Sequence, residues 1–191
     1  MIALEQVRSI TVKSLFFIVV IAGLVSLLMV LSNLILSPSW SFVFSVMILI
    51  AGMNLAVYLI DRAGAATLFY VLAAAFTLRL NDLGVIGWDK VLIFFIAGII
   101  FEVIFLSLKI KVHHLSLDMV LGSSISAASV VIAAAFVLSS DLANSFPLEL
   151  INLVLIGLAS GLISSTILSL VWMHISRSRA VMKLQSYLLY F

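Results

Sequence analysis

The stretch VLIFFIAGIIFEVIFLSL, residues 91–108, is 18 residues long and contains a single charged side chain, Glu102. A helix needs about 20 predominantly apolar residues to cross a hydrocarbon core of roughly 30 Å. The whole chain has the same character, since 65% of its 191 residues are hydrophobic and 9% are charged. Its mean hydropathy is +1.38, whereas soluble domains carry roughly 25% charged residues. The composition therefore predicts an integral membrane protein.

Six apolar segments approach the length of a membrane-spanning helix. They cover residues 14–36, 41–60, 63–78, 91–108, 117–138 and 150–175. Long unbroken apolar runs exclude a lipid-facing barrel, which needs short strands of alternating polarity. The first run lacks a small-residue cleavage site at its end, so we interpret it as a retained helix. We predict an all-α, six-helix membrane bundle that forms one domain over residues 1–191, with a tight hairpin at residues 61–64.

The distribution of basic residues predicts the orientation of the bundle. Cytoplasmic loops of membrane proteins carry an excess of Lys and Arg. With the N-terminus inside, only Arg79 and Lys90 fall on the outer side. The other eight basic residues fall on the inner side: Arg8, Lys13, Arg62, Lys109, Lys111, Arg177, Arg179 and Lys183. We expect both termini in the cytoplasm, and the apolar tail KLQSYLLYF, residues 183–191, to lie along the inner lipid interface.

Glu102 is the only acidic residue in the interior of the six predicted spans, since Asp118 is at the very start of the fifth. Counted from Val91, it lies roughly 16 Å into the membrane, close to the midplane. A buried ionised group there needs a partner or a cavity. Gly98 and Phe95 share its helical face, which leaves room for a flat ring to stack. We therefore expect Glu102 to contact a ligand, or else to hydrogen-bond across helices to Asn54 or to serines of the fifth span.

Small and polar residues recur on the last two spans. The fifth span places Ser126 and Ser129 on a face with Gly122 and Ala133, and the sixth contains a GxxxG pattern at Gly157 and Gly161. Such faces usually indicate close helix packing. Four further residues lie near the outer ends of spans, where tryptophans more often anchor a protein at the interface than bind a ligand: Asn33, Trp40, Trp88 and Asn152.

Motifs of catalysis and cofactor binding are missing from the sequence. It has no phosphate-binding loop, no dinucleotide fingerprint and no nucleophile elbow. The adjacent His113 and His114 diverge on a helix and do not form the i, i+4 pair of a zinc site, and the chain has no cysteine. We expect no enzymatic activity, no metal or other cofactor and no nucleic-acid partner.

Three short motifs resemble the substrate-binding S component of energy-coupling factor (ECF) vitamin transporters. The stretch YLIDRAGAATLFYVLAAAF, residues 58–76, is similar to the hairpin between helices two and three of many S components. The GxxxE pattern from Gly98 to Glu102, followed by a basic loop, resembles the branch that handles thiamine or its hydroxymethylpyrimidine precursor. The last span contains glycines and ends in HISRSRAVMK, residues 174–183, which is a third similarity.

The resemblance implies a function and a set of partners. An S component captures a vitamin-like molecule at the outer face of a prokaryotic cell membrane and docks on a coupling membrane subunit driven by cytoplasmic ATPases. Docking usually involves an Ala-x-x-x-Ala pair on helix one, for which the nearest match is Ala22 with Ser26. The residues expected at the substrate are Glu102, Gly98, Phe95, Trp40, Asn33, Asn54, Trp88, Ser126, Ser129 and Asn152.

Two other classes of protein remain open at this point. A membrane scaffold or assembly factor could share six short helices without binding a ligand, and its Glu102 would then pack tightly against neighbouring helices. A small membrane enzyme is the less favoured alternative, because no second catalytic group can be named at the depth of Glu102.

Overall fold

The computed structural model describes residues 10–81, 85–108, 111–112, 115–138 and 147–189. Apart from turns, these described residues form helices and one antiparallel pair of two-residue strands, in which Lys111 faces Ser116. The elements are α1 (Val12–Ile35), α2 (Pro38–Ile60), α3 (Ala65–Phe76), α4 (Trp88–Leu108), β1 (Lys111–Val112), β2 (Leu115–Ser116), α5 (Leu117–Leu138), α6 (Pro147–Ile175) and α7 (Arg179–Leu189).

Helices α1 to α6 pack side by side in a closed ring. Its order is α1, α2, α6, α5, α4, α3 and back to α1, and α2 also contacts α3 and α5. One end of the ring holds the short connection between α1 and α2, and is called the α1–α2 end. The opposite end, called the α2–α3 end, holds the turn from α2 to α3, the β1–β2 hairpin and the connection from α6 to α7.

Among the described residues, five helices are long and apolar enough to cross a membrane: α1, α2, α4, α5 and α6. The remaining predicted span, residues 63–78, forms the 12-residue helix α3, which is about 18 Å long and shorter than the hydrocarbon core. The chain is therefore a multi-pass helical membrane protein in which one apolar helix of the ring is too short to cross the bilayer unaided.

The turn between α2 and α3 is as tight as the sequence predicts. Helix α2 ends at Ile60 and α3 begins at Ala65. The reversal uses two residues with left-handed backbones, Asp61 at φ 45° and Gly64 at φ 92°. Glycine adopts this conformation without steric cost, and aspartate tolerates it better than most residues. The chain therefore reverses within four residues at the α2–α3 end.

The core of the ring combines aromatic side chains with small residues. Phe69, Tyr70, Phe94 and Phe101 are fully buried, and the ring of Tyr70 meets that of Phe94 edge to face at 5.7 Å. Large apolar side chains on the outward faces of α1, α4 and α6 remain exposed. This distribution fits a protein surrounded by lipid, because exposing an apolar side chain to hydrocarbon has no free-energy cost comparable to exposing it to water.

The GxxxG pattern of α6 packs inside the protein. A Cβ built on Gly157 would lie 3.2 Å from the carbonyl oxygen of Ala127, and one built on Gly161 would lie 2.7 Å from the Cα of Ser124. Both contacts are with α5. The expectation of close helix packing at these glycines is therefore confirmed.

Candidate functional site

Glu102 binds the first turn of α3. Its Oε1 accepts a hydrogen bond from the backbone N–H of Thr67, with an N–O distance of 3.0 Å. Thr67 is the third residue of α3, and the first N–H groups of a helix have no carbonyl partner within the helix. A carboxylate at this position satisfies one such donor and interacts favourably with the positive end of the helix dipole. Neither Asn54 nor a serine of α5 is the partner of Glu102 in this bond.

The structure also gives the position of Glu102 along α4. Because α4 begins at Trp88, Glu102 lies 14 residues, or about 21 Å, from that end of the helix. It lies six residues, or about 9 Å, from Leu108 at the other end. Glu102 therefore lies in the half of α4 that is nearer the α2–α3 end, about four residues past the middle of the helix.

Gly98 allows α3 and α4 to approach each other next to this hydrogen bond. A Cβ built on Gly98 would lie 2.7 Å from the Cα of Thr67, a backbone atom that cannot move aside. Such a separation is shorter than real contacts, so a larger residue would push the two helices apart. The space beside Glu102 that the sequence suggested for a ligand is occupied by the backbone of α3.

Lys90 binds the other end of α3. Its Nζ donates to the carbonyl oxygens of Thr77 at 3.2 Å and Leu80 at 3.1 Å, and the side chain is 1% exposed. Thr77 is the C-cap of α3, next to the negative end of the helix dipole, and Leu80 lies in the turn that follows the helix. Sequence reasoning placed Lys90 in an outer loop and missed this role.

The two charged residues of α4 match the length of α3. Lys90 and Glu102 are 12 residues apart on α4, a rise of about 18 Å, and α3 is 12 residues long. Since α3 and α4 run antiparallel, the acid meets the N-terminal end of α3 and the base meets its C-terminal end. We call this arrangement, made of Glu102, Lys90 and the two ends of α3, the charge clamp. In the sequence, the charge clamp is indicated by two opposite charges, Lys90 and Glu102, that are 12 residues apart.

A second layer of polar contacts lies between the clamp and α5. Ser126 Oγ donates to the carbonyl oxygen of Ala97 at 2.9 Å and shares a 2.7 Å hydrogen bond with the hydroxyl of Tyr70. Ser123 Oγ donates to Asn54 Oδ1 at 2.8 Å. Ser126 and Asn54 are fully buried. These predicted ligand residues therefore join α2, α3, α4 and α5 to one another.

Two other residues predicted at the substrate are also placed by the structure. Ser129 Oγ donates to the carbonyl oxygen of Ser126 within its own helix, at 2.7 Å. Phe95 is 43% exposed, whereas its neighbour Phe94 is buried. Phe95 therefore lies on the outer surface of α4 and does not stack beside Glu102.

The remaining four predicted ligand residues gather at the α1–α2 end. Asn33 is near the end of α1, and Trp40, Trp88 and Asn152 are near the beginnings of α2, α4 and α6. Trp40 is 62% and Trp88 is 79% exposed, and Asn33 Oδ1 accepts from Ser41 Oγ at 3.2 Å. The fold places these four residues at the same end of the helical bundle.

The pair expected to dock on a coupling subunit is buried inside the protein. Ala22 is 0% and Ser26 is 4% exposed, and Ser26 Oγ donates to the carbonyl oxygen of Ala73 on α3 at 3.5 Å. The small residues of α1 thus let α3 approach α1, which removes them from the surface that a partner subunit could contact. Arg8, Lys109, His113 and His114 lie outside the described residues.

A shallow groove between α2 and α6 has a volume of about 240 Å³. Its walls are apolar except for Ser164, whose Oγ donates to the carbonyl oxygen of Met47 at 2.8 Å. None of the predicted ligand residues lines it; the lining residues are Phe44, Met47, Ile48, Ala51, Ser164, Ile167 and Leu168. Such a surface suits a lipid acyl chain better than a polar vitamin.

Comparisons with known proteins do not assign the chain to a family. Its sequence matches no protein-family model, and neither the curated proteins nor the solved structures contain a significant match. The fold and the charge clamp define the class as a multi-pass helical membrane protein with a short, electrostatically held helix in its ring.

Proposed function

We propose that the chain is the substrate-capture subunit of an ECF-type importer in a prokaryotic cell membrane, with six membrane helices and both termini in the cytoplasm. The observation that supports this proposal is the contact between two of the motifs behind the resemblance. Thr67 of the α2–α3 hairpin and Glu102 of the GxxxE pattern are 35 residues apart in the sequence. In the structure they are joined by the 3.0 Å hydrogen bond, and Gly98 packs against Thr67 beside it. The two motifs thus form one structural unit.

This unit changes the role proposed for Glu102. Its carboxyl group is engaged with the backbone of α3, so it holds the hairpin in place and does not bind substrate. We assign substrate recognition to the α1–α2 end, which is the outer face in the proposed orientation. There, Trp40 and Trp88 offer rings for stacking and Asn33 and Asn152 offer amides for hydrogen bonds. Thiamine or its pyrimidine precursor has a flat amino-substituted ring of the kind that such groups recognise.

The proposed docking on a coupling subunit also moves to another surface. Because Ala22 and Ser26 face α3, the lipid-facing side of α1 becomes the contact surface. Val20, Leu24 and Leu27 are 41%, 59% and 57% exposed there. Association between apolar helices in lipid depends on van der Waals packing, which an unbroken apolar face can supply.

A thermal-shift experiment on the purified chain tests the assignment of the substrate site. Thiamine and hydroxymethylpyrimidine are added to the wild type and to the variants Trp88→Ala, Asn152→Ala and Glu102→Gln. We expect a ligand to raise the Tm of the wild type, because binding only to the folded state stabilises it. The increase should be lost in the two variants at the α1–α2 end. Glu102→Gln should have a lower Tm without ligand but retain the full increase.

Two outcomes contradict this proposal in different ways. If Glu102→Gln alone abolishes the ligand-induced increase, the substrate contacts the clamp and the site is misassigned. If neither ligand, nor any other water-soluble vitamin tested in the same way, raises the Tm of the wild type, the capture function fails.

A membrane scaffold or assembly factor is the second candidate. It is favoured by the burial of Ser126 and Asn54, since Ser126 Oγ donates to Ala97 and Asn54 Oδ1 accepts from Ser123, as expected for helices held to one another by polar contacts. A scaffold should co-purify from its native membrane with a stable membrane partner and without ATPases. An S component should co-purify with a coupling subunit and two ATPase subunits.

A further inference from the structure

Helix α7 begins immediately beyond the end of the membrane domain. Only residues 176–178 separate it from α6, and three residues reach at most about 11 Å. The hydroxyl of Ser178 accepts from the N–H of Val181 at 3.3 Å, which caps the new helix and fixes its start. Helix α7 therefore lies near the level at which α6 leaves the hydrocarbon.

One side of α7 packs on the ends of α1 and α2. Leu188 is 1% exposed, and Gln185 Nε2 donates to the carbonyl oxygen of Tyr58 on α2 at 3.1 Å. The Nζ of Lys13, at the start of α1, lies 4.1 Å from the centre of the Tyr187 ring. These contacts hold the helix across the α2–α3 end of the bundle and prevent it from extending away into water.

The opposite side of α7 is basic and partly apolar. Arg179 and Lys183 are one helical turn apart and exposed, and Arg177 is exposed just before the helix. Met182 is 50% exposed beside them, and Tyr187, at the margin of this side next to Lys13, is 49% exposed. The chain has no acidic residue from position 150 to its end at position 191, so no carboxylate of this segment offsets the three positive charges.

We propose that this exposed side of α7, with Arg177, Arg179 and Lys183, binds the anionic headgroups of membrane phospholipids. A helix that lies in the interface combines cations that bind lipid phosphates with apolar groups that enter the acyl boundary. Met182 and Tyr187 supply the second element, which a surface facing only water would not need. The charges complement those of an acidic leaflet, where each Lys or Arg near the surface adds to the attraction. This surface is separate from the substrate site proposed above and does not depend on it.

Native mass spectrometry of the full chain in a neutral detergent tests the proposal. Phosphatidylglycerol and phosphatidylcholine with identical acyl chains are titrated, and the bound lipid is counted. We expect the wild type to retain phosphatidylglycerol preferentially. Arg179→Gln and Lys183→Gln should each weaken its retention about fivefold, and the double variant about 25-fold, in proportion to the charge removed. Arg79→Gln, an exposed arginine at the α1–α2 end, is the matched control and should retain lipid like the wild type.

Equal retention of the two lipids by the wild type overturns the proposal, as does a double variant that binds phosphatidylglycerol normally. Effective competition by inorganic phosphate or glycerol phosphate also overturns it, because it would indicate a site for a free anion. Circular dichroism of each variant checks that loss of retention does not reflect unfolding.

A second measurement uses the absence of cysteine from the chain. A single Ser186→Cys substitution on the exposed side of α7 carries an environment-sensitive fluorophore, and the protein is reconstituted in vesicles. We expect a blue-shifted emission in vesicles that contain phosphatidylglycerol and a water-like emission in phosphatidylcholine alone. A water-like emission in both compositions would show that α7 does not enter the lipid interface and would overturn the proposal.

Discussion

Removal of the Glu102 carboxyl group tests whether the charge clamp holds α3 in place. In Glu102→Ala, the N–H of Thr67 loses the acceptor that lies 3.0 Å away and is left unpaired in a partly buried position. Hydrogen bonds to charged groups contribute about 1.5 to 3 kcal/mol, and an unsatisfied buried donor costs a similar amount. We therefore expect the free energy of unfolding to fall by about 2 to 3 kcal/mol. Glu102→Gln keeps an acceptor oxygen at the same distance from the backbone but loses the charge. Its free energy of unfolding should therefore fall by only about 1 kcal/mol.

The assay is unfolding of the purified full chain by sodium dodecyl sulfate in dodecyl maltoside micelles, followed by far-ultraviolet circular dichroism. Asp89→Asn is the matched control, because it removes one negative charge from an exposed position on the same helix. Its effect should stay below about 1 kcal/mol, the usual contribution of a charge at a helix terminus. Amide hydrogen exchange adds a local readout, since the Thr67 amide should exchange faster in Glu102→Ala.

The reasoning is refuted if Glu102→Ala unfolds like the wild type and its Thr67 amide keeps its protection. It is also refuted if Glu102→Gln loses as much stability as Glu102→Ala, because the remaining amide oxygen should still serve as an acceptor. A loss in both variants that Asp89→Asn reproduces would indicate a general effect of charge on α4.

Two further predictions use the same unfolding assay. Lys90→Met keeps the length of the side chain but removes its donors to the carbonyls at the end of α3, so stability should fall by about 1.5 to 3 kcal/mol; an unchanged stability would exclude the second half of the clamp. Gly161→Ala places a Cβ 2.7 Å from the Cα of Ser124 and should destabilise by about 1 to 3 kcal/mol. Gly23→Ala, whose nearest neighbour is a ring carbon at 3.9 Å, should be neutral or stabilise by up to about 1 kcal/mol; similar losses at the two glycines would contradict the packing argument.

The candidate site was only partly predictable from the sequence. Glu102 and Gly98 stand out in an apolar run, and their joint importance follows from the cost of a carboxylate in lipid. The partner of Glu102 did not follow, because it is a backbone N–H of Thr67, and every residue except proline has such a group. Lys90 was assigned to a loop, since the sequence alone does not indicate that α4 begins at Trp88 and buries this lysine against α3.

Helix facing was the second feature that the sequence left open. The apolar character of α1 and α4 extends around the whole helix, so periodicity does not distinguish the buried side from the lipid side. Ala22 and Ser26 suit contact with another subunit as well as contact with α3, because small residues permit close approach to any helix. The structure places them against α3, and it places Phe95 on the surface.

The sequence by itself determined that this is a multi-pass membrane protein of apolar helices, that residues 61–64 form a tight turn, and that the GxxxG pattern marks close packing. These features depend on hydropathy, on segment length and on backbone preferences, which are local properties of the chain. Only the tertiary structure decided that α3 is a 12-residue helix whose two ends meet Glu102 and Lys90. The reason is physical: a charged side chain within a helix bundle selects its partner by distance and orientation, and both are set only when α3 and α4 pack together.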